Sequence, residues 1–269
     1  MKIDANGINM NYELNGKGTC LVLIHGFSDN LTMWYNQAPE FSRHYQVIAY
    51  DFRGHGKTET PEREFSMELF ADDLYALLKA LNIEKAGILG YSMGGRIGLE
   101  FALKYPEIIT GLIMANITVA GKELKISEQQ AELMGKHLRM MTRLCESGNL
   151  EVLADELVTK SLSPEFQERE PQILRNYKEI KLQNDPMHYS SVMQAMIRSL
   201  ETPPDLTRVE CPVLLIAGEH DPFLNLKVVR AMERDMARSV LKILPAGHAA
   251  AIEAPDVFNK TVLEFMKSL

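Results

Sequence analysis

The chain has 269 residues, 46% of them apolar and 24% charged, which is ordinary globular usage and sets aside disordered, collagen-like and low-complexity readings. Its 29 Lys and Arg against 36 Asp and Glu leave a net charge of -7, so no basic footprint for nucleic acid is present. The three cysteines, Cys20, Cys145 and Cys211, are scattered and odd in number, which argues against a disulfide framework and for a reducing compartment.

The first residues, Met1-Lys2-Ile3-Asp4-Ala5-Asn6, have no apolar centre and carry an acid, unlike a signal peptide. No stretch further on approaches the ~20 apolar residues of a membrane span, so a soluble, cytoplasmic protein is expected. Residues Ile8–Leu14 alternate apolar and polar, the period of a half-buried strand. After the turn Asn15-Gly16-Lys17-Gly18, the continuous apolar run Cys20–Ile24 suits a strand covered on both faces. Similar runs follow at Val47–Tyr50, Ala86–Leu89, Leu112–Ala115, Val213–Ala217 and Val240–Leu244. Between them, Phe70, Leu74, Leu77, Leu78 and Leu81 fall on one helix face, with Ser66 as the expected N-cap. Strand and helix alternate, so the expected fold is α/β with a mostly parallel sheet.

The alternation breaks between residues 118 and 204. Ala131, Met134, Leu138, Met141 and Cys145 form a helical stripe there, and Met187, Met193 and Met196 add further methionines. The segment reads as a helical insertion in a core formed by 1–117 and 205–269. Its methionines fill core or form an adaptable apolar wall over a ligand. Met134, Met141 and Met193 are the candidates for such a wall.

Gly90-Tyr91-Ser92-Met93-Gly94-Gly95 follows the Ala86–Leu89 strand and precedes the apolar helical run Ile97–Leu103. A sharp strand–turn–helix of this kind pushes a serine hydroxyl out above the sheet and needs glycine at both flanks. The helix also aims its first N–H groups at negative charge near the hydroxyl. A serine nucleophile needs a base, and the base needs an orienting acid. Of the histidines after Ser92, His137 and His188 lie in the insertion and His220 has no clear direction. His248, in Ala246-Gly247-His248-Ala249-Ala250, stands in the turn after the last strand run. Glu219 and Asp221, in Gly218-Glu219-His220-Asp221-Pro222, both follow the Val213–Ala217 run, and Asp221 stands in the part of the loop that can reach His248. After the preceding run the residue is Asn116, not an acid. In His25-Gly26-Phe27, a strand-end loop, the N–H of Phe27 can join that of Met93 as an oxyanion donor. His25 is expected to hold that loop by hydrogen bonds and is kept as a candidate substrate contact.

Taken together, His25-Gly26-Phe27, Asp51-Phe52-Arg53-Gly54-His55-Gly56, Gly90–Gly95, Gly218–Asp221 and Gly247-His248 resemble the α/β-hydrolase fold family across nearly the whole chain, in the right order. The resemblance implies an eight-stranded-type sheet flanked by helices, residues 118–204 as the variable cap, a small-molecule substrate, and no metal or organic cofactor. It makes Asp51–Gly56 a structural turn beside the site. Ser92 in place of an aspartate separates the chain from dehalogenases and epoxide hydrolases and groups it with serine esterases, lactonases, C–C bond hydrolases and cofactor-free haloperoxidases. The expected activity is hydrolysis of a carboxylic ester or lactone by Ser92, Asp221 and His248. Three alternatives stay open: a C–C bond hydrolase, a non-catalytic ligand receptor on the same fold, and a lyase. For the lyase, Gly90–Gly95 with Arg96 resembles the menaquinone-pathway enzyme that eliminates pyruvate, in which an arginine after the elbow contacts a substrate carboxylate. Arg96 is therefore a candidate substrate contact.

Overall fold

The continuous apolar runs of the sequence are the inner strands of one sheet in the computed structural model, which describes residues 1–61, 64–119 and 139–269. Its strands are β1 (Lys2–Ala5), β2 (Ile8–Asn15), β3 (Cys20–Ile24), β4 (Gln46–Tyr50), β5 (Ala86–Tyr91), β6 (Ile109–Ala115), β7 (Val213–Gly218) and β8 (Ser239–Leu244). They lie in the order β1-β2-β4-β3-β5-β6-β7-β8. From β4 to β8 every pairing is parallel, whereas β1 and β2 join as an antiparallel edge. The β1–β2 hairpin closes through Asn6 (φ 49°) and Gly7 (φ 73°), the pair of positive φ angles a two-residue turn requires.

All five residues of β3 are buried because layers pack on both faces. Val22 and Ile24 face one layer together with Ile48, Ile88, Phe70 and Leu74. Leu21 and Leu23 face the other with Val47, Leu89, Trp34 and Phe258. The helix Met67–Ala80 is capped as expected, the Ser66 side chain accepting from Leu69 N–H.

Between β6 and β7 the described residues form helices: a stretch over residues 139–146, then Leu150–Ser161, Pro164–Arg169, Pro171–Leu182 and Tyr189–Glu201. Of the predicted stripe, Ala131, Met134 and Leu138 lie outside the described residues. Met141 and Cys145 are buried in one apolar cluster with Leu153, Tyr189 and Met193, against which Phe27 packs. The C-terminal ends of β3, β5, β7 and β8 share one edge of the sheet, and the loops that leave them carry the candidate site.

Candidate functional site

Ser92 joins β5 to the helix Met93–Lys104 with φ 51° and ψ −118°, a conformation that non-glycine residues rarely adopt. The strain is held in place by neighbours. Ser92 N–H donates to Ala115 O on β6 at 2.8 Å, and Ser92 O accepts from Gly95 N–H at 2.9 Å. The flanking glycines leave room for the turn to fold back on itself. A Cβ on Gly90 would stand 2.2 Å from Gly94 O, and one on Gly94 would stand 2.3 Å from Ile24 O. This tight approach exposes part of Ser92 while burying everything around it.

His248 brings the three predicted residues into one line. Its Nε2 lies 3.0 Å from Ser92 Oγ and its Nδ1 lies 2.7 Å from Asp221 Oδ2. An ionised carboxylate accepts only, so Nδ1 carries the proton and Nε2 is left as the acceptor for the serine hydroxyl. The Asp221 carboxylate has no exposure, and both its oxygens accept further hydrogen bonds: Phe223 N–H reaches Oδ1 at 2.8 Å and Asn116 Nδ2 reaches Oδ2 at 3.0 Å. Asn116 also donates to Gly247 O at 3.2 Å, which ties the acid to the turn that carries the base. The sequence marked Asn116 only as the place where an acid is missing. Its left-handed φ of 54° and complete burial identify it as the amide that braces the acid. Glu253 fixes the same turn from the other side, accepting from Gly247 N–H at 2.9 Å and from both Ser163 N–H and Ser163 Oγ–H. Glu219, the alternative acid, points into solvent.

Beside the elbow, two backbone N–H groups have no hydrogen-bond partner among the described residues. Met93 opens its helix, where the first N–H groups have no intrahelical partner. Phe27 stands in the loop after β3, which is braced by Asp29 N–H donating to Gly26 O at 3.2 Å, and its own N–H meets no acceptor among the described residues. A Cβ on Gly26 would fall 2.8 Å from the Tyr91 ring, so the loop lies directly against the elbow.

Two candidate substrate contacts, His25 and Arg96, have partners within the protein. His25 is fully buried, its Nδ1 donating to Gly26 O at 2.8 Å, its Nε2 accepting from Phe52 N–H at 3.4 Å, and its ring stacked on Phe52. With both nitrogens occupied it supports the loop and has no atom to offer a substrate. Burial also pushes its pKa below the ordinary imidazole value. Arg96 does not stand free either: its Nη1 lies 2.8 Å from Glu100 Oε2 one helical turn on, with the side chains 9% and 16% exposed. Met141 and Met193 are 3% and 2% exposed and pack on each other's cluster beside Phe27, so in this arrangement they fill core. Met134 lies outside the described residues.

The turn Asp51–Gly56 is structural in its contacts. Asp51 accepts from Leu31 N–H at 2.7 Å, Asn11 Nδ2 at 2.7 Å and Lys57 N–H at 2.8 Å, and Arg53 makes a two-pronged, fully buried ion pair with Asp73. His55 Nε2 accepts from Ser28 N–H at 2.9 Å, so this turn supports the loop after β3 as well. All three cysteines are free. No helix among the described residues is long and apolar enough to cross a membrane.

The family model for the alpha/beta hydrolase fold matches residues 19–255. The chain is 31% identical to 3-oxoadipate enol-lactonase 2 of Acinetobacter baylyi, over 98% of this chain and 96% of that protein. It is 28% identical to a Bacillus subtilis chain that bears the name 2-succinyl-6-hydroxy-2,4-cyclohexadiene-1-carboxylate synthase, over 93% of this chain and 90% of that one. Among solved structures, the enol-lactonase from Burkholderia xenovorans LB400 superposes with a TM-score of 0.87 at 25% identity, covering 99% of this chain and all of that one.

Proposed function

The chain belongs to the α/β-hydrolase fold family, and from that premise we propose that it is a serine hydrolase cleaving a carboxylic ester or lactone through an acyl-enzyme. The observation that carries the reading is the single line from Ser92 Oγ through His248 to Asp221, with contacts of 3.0 Å and 2.7 Å. His248 takes the hydroxyl proton as Ser92 attacks the carbonyl. Phe27 and Met93 N–H groups receive the developing oxyanion, and the dipole of the helix behind Met93 adds to their field. Protonated His248 passes its proton to the leaving alcohol, and a water deprotonated by His248 then releases the acyl group. Asp221 holds the imidazole in the working tautomer and stabilises its charged form, while the described helices between β6 and β7, from Leu150–Ser161 to Tyr189–Glu201, serve as the cap beside the acyl group. Enol-lactonases among the relatives favour a cyclic ester as one form of the substrate.

The test is a panel of p-nitrophenyl acyl esters of graded chain length together with lactones. Ser92→Ala or His248→Ala should lower kcat by a factor on the order of 10⁴–10⁶, because the residues act as one unit. Either variant keeping about a tenth of wild-type turnover would sink the assignment. A serine-directed phosphonate should label Ser92 in the wild type and leave Ser92→Ala unmodified. The relative named as a synthase supports a lyase as the second reading. Against it, the guanidinium needed for a substrate carboxylate is already paired with Glu100.

A further inference from the structure

The loop that carries Phe27 N–H has little structure of its own. Residues 25–30 belong to no helix or strand, and Ser28 sits in the left-handed region at φ 62°. Such a loop holds a fixed shape only when its surroundings over-determine it. Much of that determination comes from the segment between β6 and β7. Lys181, at the end of the helix Pro171–Leu182, sends Nζ to Asp29 Oδ1 at 2.6 Å and to Ser28 Oγ at 3.1 Å. Its ammonium lies 4.3 Å from the centroid of the Tyr177 ring, and the Tyr177 hydroxyl donates to Asp29 Oδ2 at 3.3 Å. Asn184 Nδ2 donates to Ser28 O at 2.9 Å, and Asn30 Nδ2 donates back to Ile180 O at 2.9 Å.

The Lys181 and Asp29 side chains are 2% and 1% exposed. A buried ion pair of this kind is a poor device for stability, because two well-packed apolar side chains do as well or better. What it supplies is direction. The ammonium has three donors, and two of them fix consecutive residues, Ser28 and Asp29, immediately after Phe27. Methionine in place of Lys181 would fill similar space and supply no such constraint.

We propose that Lys181 is a positioning residue: its ion pair with Asp29 clasps the cap helix to the loop so that Phe27 N–H faces the oxyanion formed at Ser92. The proposal rests on the serine-hydrolase reading above. It makes the cap part of the chemical step as well as a wall for the substrate, since a shift of the helix would carry the donor away from Ser92. An electrostatic donor displaced by about 1 Å loses most of its effect on the transition state and little of its effect on ground-state binding.

The experiment compares wild type, Lys181→Met and the double variant Lys181→Met/Asp29→Asn by steady-state kinetics on an activated ester, thermal melting, and amide hydrogen exchange of residues 26–30. In Lys181→Met, kcat should fall on the order of ten- to a hundredfold with KM little changed, and exchange over 26–30 should rise while β5 stays protected. The double variant no longer buries an unpaired carboxylate, so its Tm should recover relative to the single variant, while its kcat stays low. A merely structural role predicts the opposite, kcat returning in step with Tm. That result, or wild-type kcat in a folded variant, or unchanged exchange over 26–30, overturns the proposal. If Lys181→Met alone does not fold, the double variant carries the same readouts. Should the wild type turn over neither esters nor lactones, the hydrolase reading falls, and loop exchange still decides whether the clasp exists.

Discussion

Asp221 and Glu219 stand two positions apart after the same strand, and burial separates them. The Asp221 carboxylate has no exposure and contacts His248, Asn116 and Phe223 N–H, whereas Glu219 is exposed. Asp221→Asn should therefore lower kcat by up to about 10⁴, since an amide can present its donor to Nδ1 and trap the wrong tautomer. Glu219→Gln should leave turnover close to wild type. The reverse order in a side-by-side assay would move the acid to Glu219. Arg96 separates the two enzymatic readings. Its pairing with Glu100 across one helical turn predicts that Arg96→Ala changes kcat/KM little for neutral and anionic esters alike. A loss above about 2 kcal/mol confined to a dicarboxylate substrate, the size of a charge-assisted hydrogen bond, would favour the lyase. Asn116 was beyond sequence reasoning because its role depends on contacts with Asp221 and Gly247, which lie 105 and 131 residues away. Ser92, Asp221 and His248 were legible because each follows a strand whose apolar run marks where the chain emerges from the sheet.

At the scale of elements, the elbow depends on backbone approach more than on any side chain. Gly90→Ala would place a methyl 2.2 Å from Gly94 O, and the obstacle is backbone that cannot rotate away. The substitution should cost at least the 1–3 kcal/mol usual for overpacking, which would appear as a Tm drop of several degrees or loss of soluble protein. Wild-type Tm in Gly90→Ala would mean that the elbow relaxes more easily than its geometry indicates. Strand legibility tracked burial in the same way. β3, β5 and β7 are buried on both faces and read as unbroken apolar runs. β1 escaped notice because Lys2-Ile3-Asp4-Ala5 is a short edge strand with two exposed residues, long on charge and short on pattern. Between β6 and β7 the sequence showed the break in strands and one helical stripe, which Met141 and Cys145 carry among the described residues, but not the packing of the later helices on the core. They pack on the core through scattered apolar side chains such as Val158, Ile180 and Val192 and through single polar contacts such as Lys181 to Asp29, 152 residues apart, whose partners the sequence does not mark.

Over the whole molecule, the sheet and the segment between β6 and β7 meet on a buried aromatic seam that contains two imidazoles. His25 stacks on Phe52 with centroids 4.2 Å apart, and His55 stacks on Tyr189 at 5.0 Å. The two histidine rings lie 5.3 Å from each other. Burial pushes both pKa values below the ordinary histidine value, His55 well below it, where the neighbouring His25 opposes a second charge. The unfolded chain takes up protons on these residues near pH 6.5, while the folded chain holds them neutral. Below that pH the unfolded state therefore binds more protons, and stability falls as the pH falls; well above it the contribution is complete and flat. Each histidine can contribute a slope of at most about 1.4 kcal/mol per pH unit. Urea melts of the wild type at pH 7.5, 6.5 and 5.5 should show a small loss between the first two and a steeper decline to the third, before most carboxylates titrate. His55→Gln keeps an acceptor for Ser28 N–H and removes one titrating ring, so it should be less stable at pH 7.5 yet lose less on acidification. Equal stability at pH 5.5 and 7.5 in the wild type would mean that the seam accepts protons in the folded state. An unchanged slope in His55→Gln would assign the acid sensitivity to groups outside it.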